Sequence, residues 1–398
     1  MKSTASKLFA AVLLTTCTIS AFSQTTQRIN VVTTAVPFLR ISPDARAGGM
    51  GDLGLATTPD ASSSYFNLGK VVFNEGPAGI NLTYTPWLKK IVPDVYLASA
   101  SGFYKMDETQ AISGSLRYFS LGSIQFTDQN GNLQGNGNPR EFGVDLGYSR
   151  RLSDRLGLGV GLKYIYSNLA AGASSSIGTY KAGSTVAADL GLYYSGLDEA
   201  GSGWAFGAAF TNLGGKISYT DNAEQKDFIP ANFGIGTSYT KVIDESNKVM
   251  FGVDLNKLLV PTPPLFKPNP DDDQAIDDEN NALATKYRST SVISSWAKSF
   301  GDAPDGFSEE LKEFQVSAGA EYSYNNQFSL RAGYFYEDKT KGNRRFFTAG
   351  VGIKYNVFGL NFSYLVPTGA GNTVQNPLSN TLRFSLVFDL GGEGAGTE

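Results

Sequence analysis

From Pro77 onward the chain alternates apolar and polar residues with a period of two, the mark of strands with one dry and one wet face. Fourteen such runs can be read, centred near Leu82, Ala98, Leu116, Leu146, Leu162, Leu190, Phe206, Ile235, Val253, Ala320, Leu330, Val351, Phe362 and Phe384. Their connections alternate in length. Those after the second, fourth, eighth, tenth and twelfth runs are tight, and those after the third, fifth, seventh, ninth and thirteenth are long. The sixth, Ser195 to Gly203, is a longer exception among the short ones. An even strand count, short periplasmic turns and long external loops describe a closed antiparallel β-barrel of the outer membrane, with both chain ends in the periplasm.

Charge placement tests this pattern independently. In the fourth run Phe142, Val144, Leu146 and Tyr148 share one parity and Asp145 takes the other, and in the fifth Lys163 opposes Leu156, Leu158, Val160, Leu162 and Tyr164. Arg117, Asp189, Asp254, Glu321, Arg331, Lys354 and Arg383 also oppose the apolar residues of their runs. Near mid-bilayer a lysine or arginine on the lipid face costs about 2 to 4 kcal/mol, so this parity is expected where the dry face meets lipid and the charges form a luminal network. Gly143, Gly147, Gly157, Gly159, Gly161, Gly191, Gly234, Gly236, Gly350 and Gly352 share the wet parity, which either empties the lumen wall or permits strand curvature. Tyr84, Trp87, Tyr104, Tyr164, Tyr166, Tyr336 and Tyr364, near run ends, fit interfacial girdles.

Before the runs lies a stretch that fits neither strand nor helix, Val36 to Gly69, with Pro37 and Pro43 ahead of a Gly48-Gly49-Met50-Gly51 turn. Fourteen strands enclose more space than wall side chains fill, and irregular backbone within a membrane is satisfied only inside protein. The stretch therefore reads as a luminal plug. Arg40, Asp44, Arg46 and Met50 are its candidate site residues, and the charges of Arg40, Asp44 and Arg46 need luminal partners.

The first 23 residues carry Lys2 and Lys7, the apolar run Leu8 to Leu14, and Ala21-Phe22-Ser23, the form of a secretory signal. The divisions expected are then a signal over 1–23, a plug over 24–76, a barrel over 77–390 with a long external loop over 258–312, and a periplasmic tail over 391–398. Loss of Lys2 and Lys7 moves the formal net charge from −4 to −6, which argues against nucleic acid as partner. Cys17 is the only cysteine, and it lies in the signal; Leu14-Thr15-Thr16-Cys17 also allows a lipoprotein reading. With no histidine in the chain, His-based acid–base catalysis and His metal ligation are excluded. We accordingly expect no catalytic residues, no metal and no cofactor.

The ninth connection, Leu258 to Lys312, opens with the proline-rich Pro261 to Pro270, continues through an acidic run, and then sets Val292, Ile293, Trp296 and Phe300 at helical spacing. Calcium is disfavoured because Ala275 and Ile276 stand where an EF-hand needs a ligand and glycine, so a solvated acidic loop is expected. Pro261, Phe266, Trp296 and Phe300 are the candidate partner-binding residues, since aromatic anchors commonly carry interface energy.

Pro37 to Gly51, Asp60 to Ser64 and Asn212-Leu213-Gly214 together resemble the FadL-like fourteen-stranded outer-membrane barrels and, within them, the PorV-like shuttle proteins of type IX secretion. The chain departs from the Asn-Pro-Ala of many FadL-like barrels with Asn67-Leu68-Gly69, away from a fatty-acid route. The resemblance implies a binding protein. It would receive secreted cargo through the cargo's C-terminal signal domain at the translocon barrel, then carry it to a surface sortase complex for attachment to lipopolysaccharide. A transporter of hydrophobic small molecules and a lipid A-modifying enzyme are the competing implications of the wider fold.

Overall fold

The computed structural model describes residues 29–87, 94–127, 130–170, 174–175, 178–221, 226–270, 272–368 and 381–391. Fourteen antiparallel strands close into one barrel. In chain order they are β1 (Ala78–Pro86), β2 (Val95–Asp107), β3 (Gln110–Leu121), β4 (Arg140–Arg151), β5 (Leu156–Asn168), β6 (Gly183–Leu197) and β7 (Gly203–Gly214). The remainder are β8 (Asn232–Val242), β9 (Asn247–Leu258), β10 (Gln315–Tyr324), β11 (Phe328–Tyr336), β12 (Arg345–Tyr355), β13 (Phe358–Pro367) and β14 (Thr381–Leu390). Each strand pairs with its neighbours in sequence, and β1 returns to β14 in register Ala78↔Leu390 through Tyr84↔Phe384. Closure removes the unpaired edge that hydrocarbon could not satisfy.

The period-two pattern maps onto the wall as its physics requires. Leu146 is 69% exposed and Leu162 72%, whereas Arg117 on the opposite parity is 2% exposed. The dry residues thus face lipid and the charges face the lumen. At the tight end, Asn325 and Asn326 both adopt positive φ (52° each), the backbone of a type I′ hairpin turn whose twist matches the flanking strands. The sixth connection belongs to this set: it is only residues 198–202, closed by Asp198 N–H donating to Ser202 O at 2.8 Å.

The N-terminal segment fills the lumen. After a short 3₁₀ turn (Pro37–Arg40) come one-turn helices α1 (Ala45–Gly48) and α2 (Ser63–Phe66), then a 3₁₀ stretch Leu68–Phe73. Glycines in the wall make the space. A side chain at Gly159 would meet Leu68 and lie 2.7 Å from Gly69 N, one at Gly236 would meet the Asp254 carboxyl and Leu55, and Gly49 lies against Gly350. Of the two readings of the wet-parity glycines, clearance for the plug is the one these contacts support.

Three expectations differ from the structure. The C-terminal strand ends on the tight-turn side, but Ile29 to Ala35, the first described residues, lie among the long connections at the other mouth: Asn30 N–H donates to Thr340 O (3.1 Å) and Ala35 N–H to Phe228 O (2.9 Å). From Gln274 onward the acidic run is helix rather than loop. Asp273 caps a helix, α3 (Gln274–Ser289), with its carboxylate accepting from Ala275 N, and acids near a helix N-terminus suit its dipole. Trp87 leaves the interfacial girdle to pack against the buried cluster of Val36, Phe38, Leu97 and Phe119 at the top of the plug. The signal and residues 392–398 of the tail lie outside the described residues.

Because Gly159 is filled from the other side by the plug, Gly159→Ala should overpack the lumen and lower stability by about 1–3 kcal/mol. The lipid-facing Leu146→Ala should leave the plug contacts untouched. Comparing the temperatures at which the two variants lose the folded band on heat-modifiability gels checks this.

Candidate functional site: the plugged lumen and its outer mouth

Three ionic groups join plug and wall. On β3 to β6, Arg117 reaches Asp145 (3.5 Å), Lys163 bridges Asp145 (3.2 Å) and Asp189 (3.0 Å), and Lys163 Nζ also donates to Asn212 Oδ1 (2.6 Å). Asn212 holds a positive φ of 58°, which aims its N–H at Asp189 Oδ1 (2.6 Å). Arg117 is further covered by plug rings, with its guanidinium carbon 5.0 Å from the Tyr65 ring centre. The structure therefore brings Arg117, Asp145, Lys163 and Asp189 together as one chain of alternating charge around the wall.

The second group centres on Arg46 of α1. Its guanidinium binds Glu321 of β10 in bidentate fashion (Nη2–Oε1 2.8 Å, Nε–Oε2 3.0 Å) and Asp60 of the plug at 2.8 Å. Glu321 also accepts from Arg331 of β11 at 2.5 Å, and Arg331 continues to Asn361 (2.8 Å). Paired guanidinium–carboxylate forks are the strong, geometrically specific form of ion pair. Elsewhere Arg383 of β14 meets Asp52 of the plug at 2.7 Å, and Asp254 Oδ2 accepts the backbone N–H groups of Gly54 (2.7 Å) and Leu55 (2.9 Å).

The third group ties the plug to the outer loops. Arg40 bonds Glu337 in the connection after β11 (3.0 Å), and Arg344 shares that carboxylate at 2.8 Å. Burial opposes ionisation of Glu337, yet Arg344 and then Arg40 hold its carboxyl below the usual carboxylate range. In the same connection Lys341 bonds Glu309 (2.5 Å) and Glu313 (2.9 Å) of the ninth connection. Lys257, with its side chain fully buried, meets Glu310 (2.6 Å) and Glu313 (2.7 Å).

Two expected members sit differently. Among the described residues Asp44 finds its partners within the plug and not on the wall: its carboxylate caps α1, accepting from Arg46 N (3.1 Å) and Ala47 N (2.9 Å). Lys354 lies at the tight-turn mouth, with its side chain 47% exposed, and pairs with Asp389 at 2.6 Å rather than joining the buried network. Met50 is buried at 1% against Leu53 and Met250.

The periodicity reading missed Asp52, Asp60, Glu337, Lys341 and Lys257. The first four lie in irregular segments where parity says nothing. Lys257 had a signal: it follows Phe251, Val253 and Leu255 on the outward parity, so it marks where β9 leaves the hydrocarbon.

The partner-loop residues divide into two sets. Pro261 is buried, and Phe300 packs edge-on against Phe233 of β8 (6.2 Å) and lies under Lys257. Trp296, on helix α4 (Val292–Lys298), is half-buried. Phe266 (55%) is exposed, as is Ile293 (75%) beside Trp296, and Phe300 keeps 46% of its surface exposed despite its contacts. The ninth connection thus folds down on the barrel rim, because its apolar residues and carboxylates have wall partners there.

Between the plug and the upper wall little space remains. A cavity of ≈ 110 Å³, lined by Arg40, Asp52, Tyr65, Lys163, Asn212 and Asp254 among others, lies between plug and upper wall. That is room for a few waters, below the roughly 300 Å³ at which small-molecule pockets begin. A separate recess of ≈ 300 Å³ opens at the tight-turn mouth between Arg46 and Asp60 of the plug and Glu321 and Arg331 of the wall, and shares none of its lining residues with that cavity.

The closed fourteen-strand wall around an inserted N-terminal plug defines a plugged β-barrel of the outer membrane. The toluene transporter TbuX of Ralstonia pickettii is similar in fold, with 12% identity over 87% of this chain and 97% of that one at a TM-score of 0.50. Two further solved structures cover 90% of this chain: the Pseudomonas putida toluene transporter TodX (12% identity, 98% of that chain, TM-score 0.48) and a Pseudomonas aeruginosa FadL homologue (10%, 99%, 0.44). No curated protein matches the chain. Within the barrel class, the chain belongs to the family described as type IX secretion system protein PorV, which it matches over residues 23–265.

Removing one member of a buried ionic cluster strands the others, at a cost of about 3–5 kcal/mol. Arg46→Met should therefore loosen the plug, lowering unfolding temperature and giving openings in planar bilayers that the parent barrel lacks. Equal conductance and stability in both proteins would show that the fork does not hold the plug.

Proposed function

We propose that this barrel works as a non-enzymatic binding component of type IX secretion, which receives cargo through the cargo's C-terminal signal domain at the translocon barrel and hands it to a surface attachment complex. The observation that carries the reading is the filled lumen of a family member: a plug held by Arg46, Asp52 and Asp254 contacts leaves ≈ 110 Å³ between it and the upper wall. Such a lumen favours binding over passage of a hydrophobic compound. Cargo would then meet the outer mouth, where the ninth connection offers Phe266 and Ile293 above a rim clamped by Lys257 and Lys341. The acidic first turns of α3 would steer a basic partner without adding much affinity.

Substituting exposed residues tests this without stranding the buried lysines, which excision of 261–310 would do by removing Glu309 and Glu310. Phe266→Asp with Ile293→Asp should reduce recovery of cargo signal domain or translocon in a pull-down about tenfold or more, equivalent to roughly 1.4 kcal/mol or above, while the barrel stays heat-modifiable. Unchanged pull-down and secretion, together with loss of uptake of one hydrophobic compound, would favour the transporter reading instead.

A further inference from the structure

The plug enters the barrel at one mouth and leaves at the other. At its far end, Lys105 N–H donates to Pro77 O (2.7 Å) and Lys105 Nζ to Asn74 O (3.3 Å), next to the tight turn between β2 and β3. At its near end, Asn30 is gripped by two long connections, its N–H on Thr340 O (3.1 Å) and its Nδ2 on Pro263 O (3.2 Å). Val32 is buried with Phe228, Leu258 and Val260, while Ile29 is 76% exposed. Between the two ends, Phe38 stacks on Phe119 near the top of β3 (6.4 Å), and Val72 N–H donates to Ser149 Oγ near the bottom of β4 (3.3 Å).

We infer that the strap from Ile29 to Val36 is an element of the cell surface: the chain runs through its own barrel from outside to inside before β1 begins. Long connections face outward in such barrels and tight turns face the periplasm. The contacts of Asn30, Val32 and Ala35 named above are all to a long connection or to the top of β9, and Val36 packs near the top of β2 and β3. The strap therefore forms part of the outer mouth, held by the same connections that Lys341 and Lys257 clamp, and Ile29 is displayed beside the loop that presents Phe266 and Ile293. This assignment is independent of what binds there, since it follows from topology and hydrogen bonds alone.

The test is single-cysteine labelling. The one native cysteine, Cys17, lies in the expected signal, so an introduced thiol is unique once that segment is removed. Ile29→Cys, Ile293→Cys on the long connection and Glu108→Cys on the β2–β3 turn are each exposed positions. Intact cells are treated with a membrane-impermeant maleimide, and labelling is compared with that after outer-membrane permeabilisation, counting only protein that migrates as folded barrel. We expect Ile29→Cys to label fully on intact cells, as Ile293→Cys does, while Glu108→Cys labels only after permeabilisation. Ile29→Cys labelling only after permeabilisation, or not at all in folded barrel, overturns the inference. A silent Ile293→Cys with a reactive Glu108→Cys also overturns it, through the orientation of the barrel rather than the path of the strap.

Discussion

A charge in the wall of a membrane barrel has no cheap place to go: on the outer face it meets hydrocarbon, and on the inner face it is cut off from water once the lumen is filled. Here the wall's charges are answered in place by neighbouring strands and by the plug, so barrel and plug depend on each other. Glu321 shows this dependence most directly. Arg331 from the next strand and Arg46 from the plug converge on its two oxygens. Without the plug, Glu321 keeps one guanidinium and loses its fork.

The same constraint explains the glycines. Gly157, Gly159 and Gly191 present backbone where a side chain would strike Leu68 or Gly69, so the 3₁₀ stretch lies against the wall with no side chains between. Asn67 secures that approach, donating to Leu55 O (3.1 Å) and Leu192 O (2.9 Å) while its own oxygen takes Gly69 N (2.9 Å). Removing wall side chains, rather than widening the barrel, is how the space is found.

The wall was legible in the sequence because lipid on one face and a wet lumen on the other impose a period of two that no turn or plug can imitate. Strand positions, the inward charges Arg117 and Lys163, and the tight Asn325-Asn326 turn all follow from that rule. What escaped it lies where the rule has no hold. Asp44 spends its charge on its own helix, the acidic run after Pro270 starts a helix, and the strap runs to the outer mouth because Thr340 and Phe228, far away in sequence, accept its N–H groups. Such choices are made by tertiary partners, and local pattern does not contain them.

Binding without passage requires that the plug stay seated while the protein works. Gly49 and Gly350 lie in backbone contact, so that a Cβ added at either would come 3.0 Å from the Cα of the other. That contact is too close for a disulfide, so the tether belongs where Asn81 of β1 donates its Nδ2 to Ser62 Oγ of the plug: a disulfide across Ser62→Cys and Asn81→Cys would pin the plug to β1 without touching the outer mouth, provided its formation is confirmed by gel mobility with and without reductant. The most direct measurement is cargo secretion by cells carrying this tethered barrel. Secretion that continues undiminished under oxidising conditions is the result expected here; secretion that stops on oxidation and resumes on reduction would contradict it, by showing that the plug must move for cargo to pass.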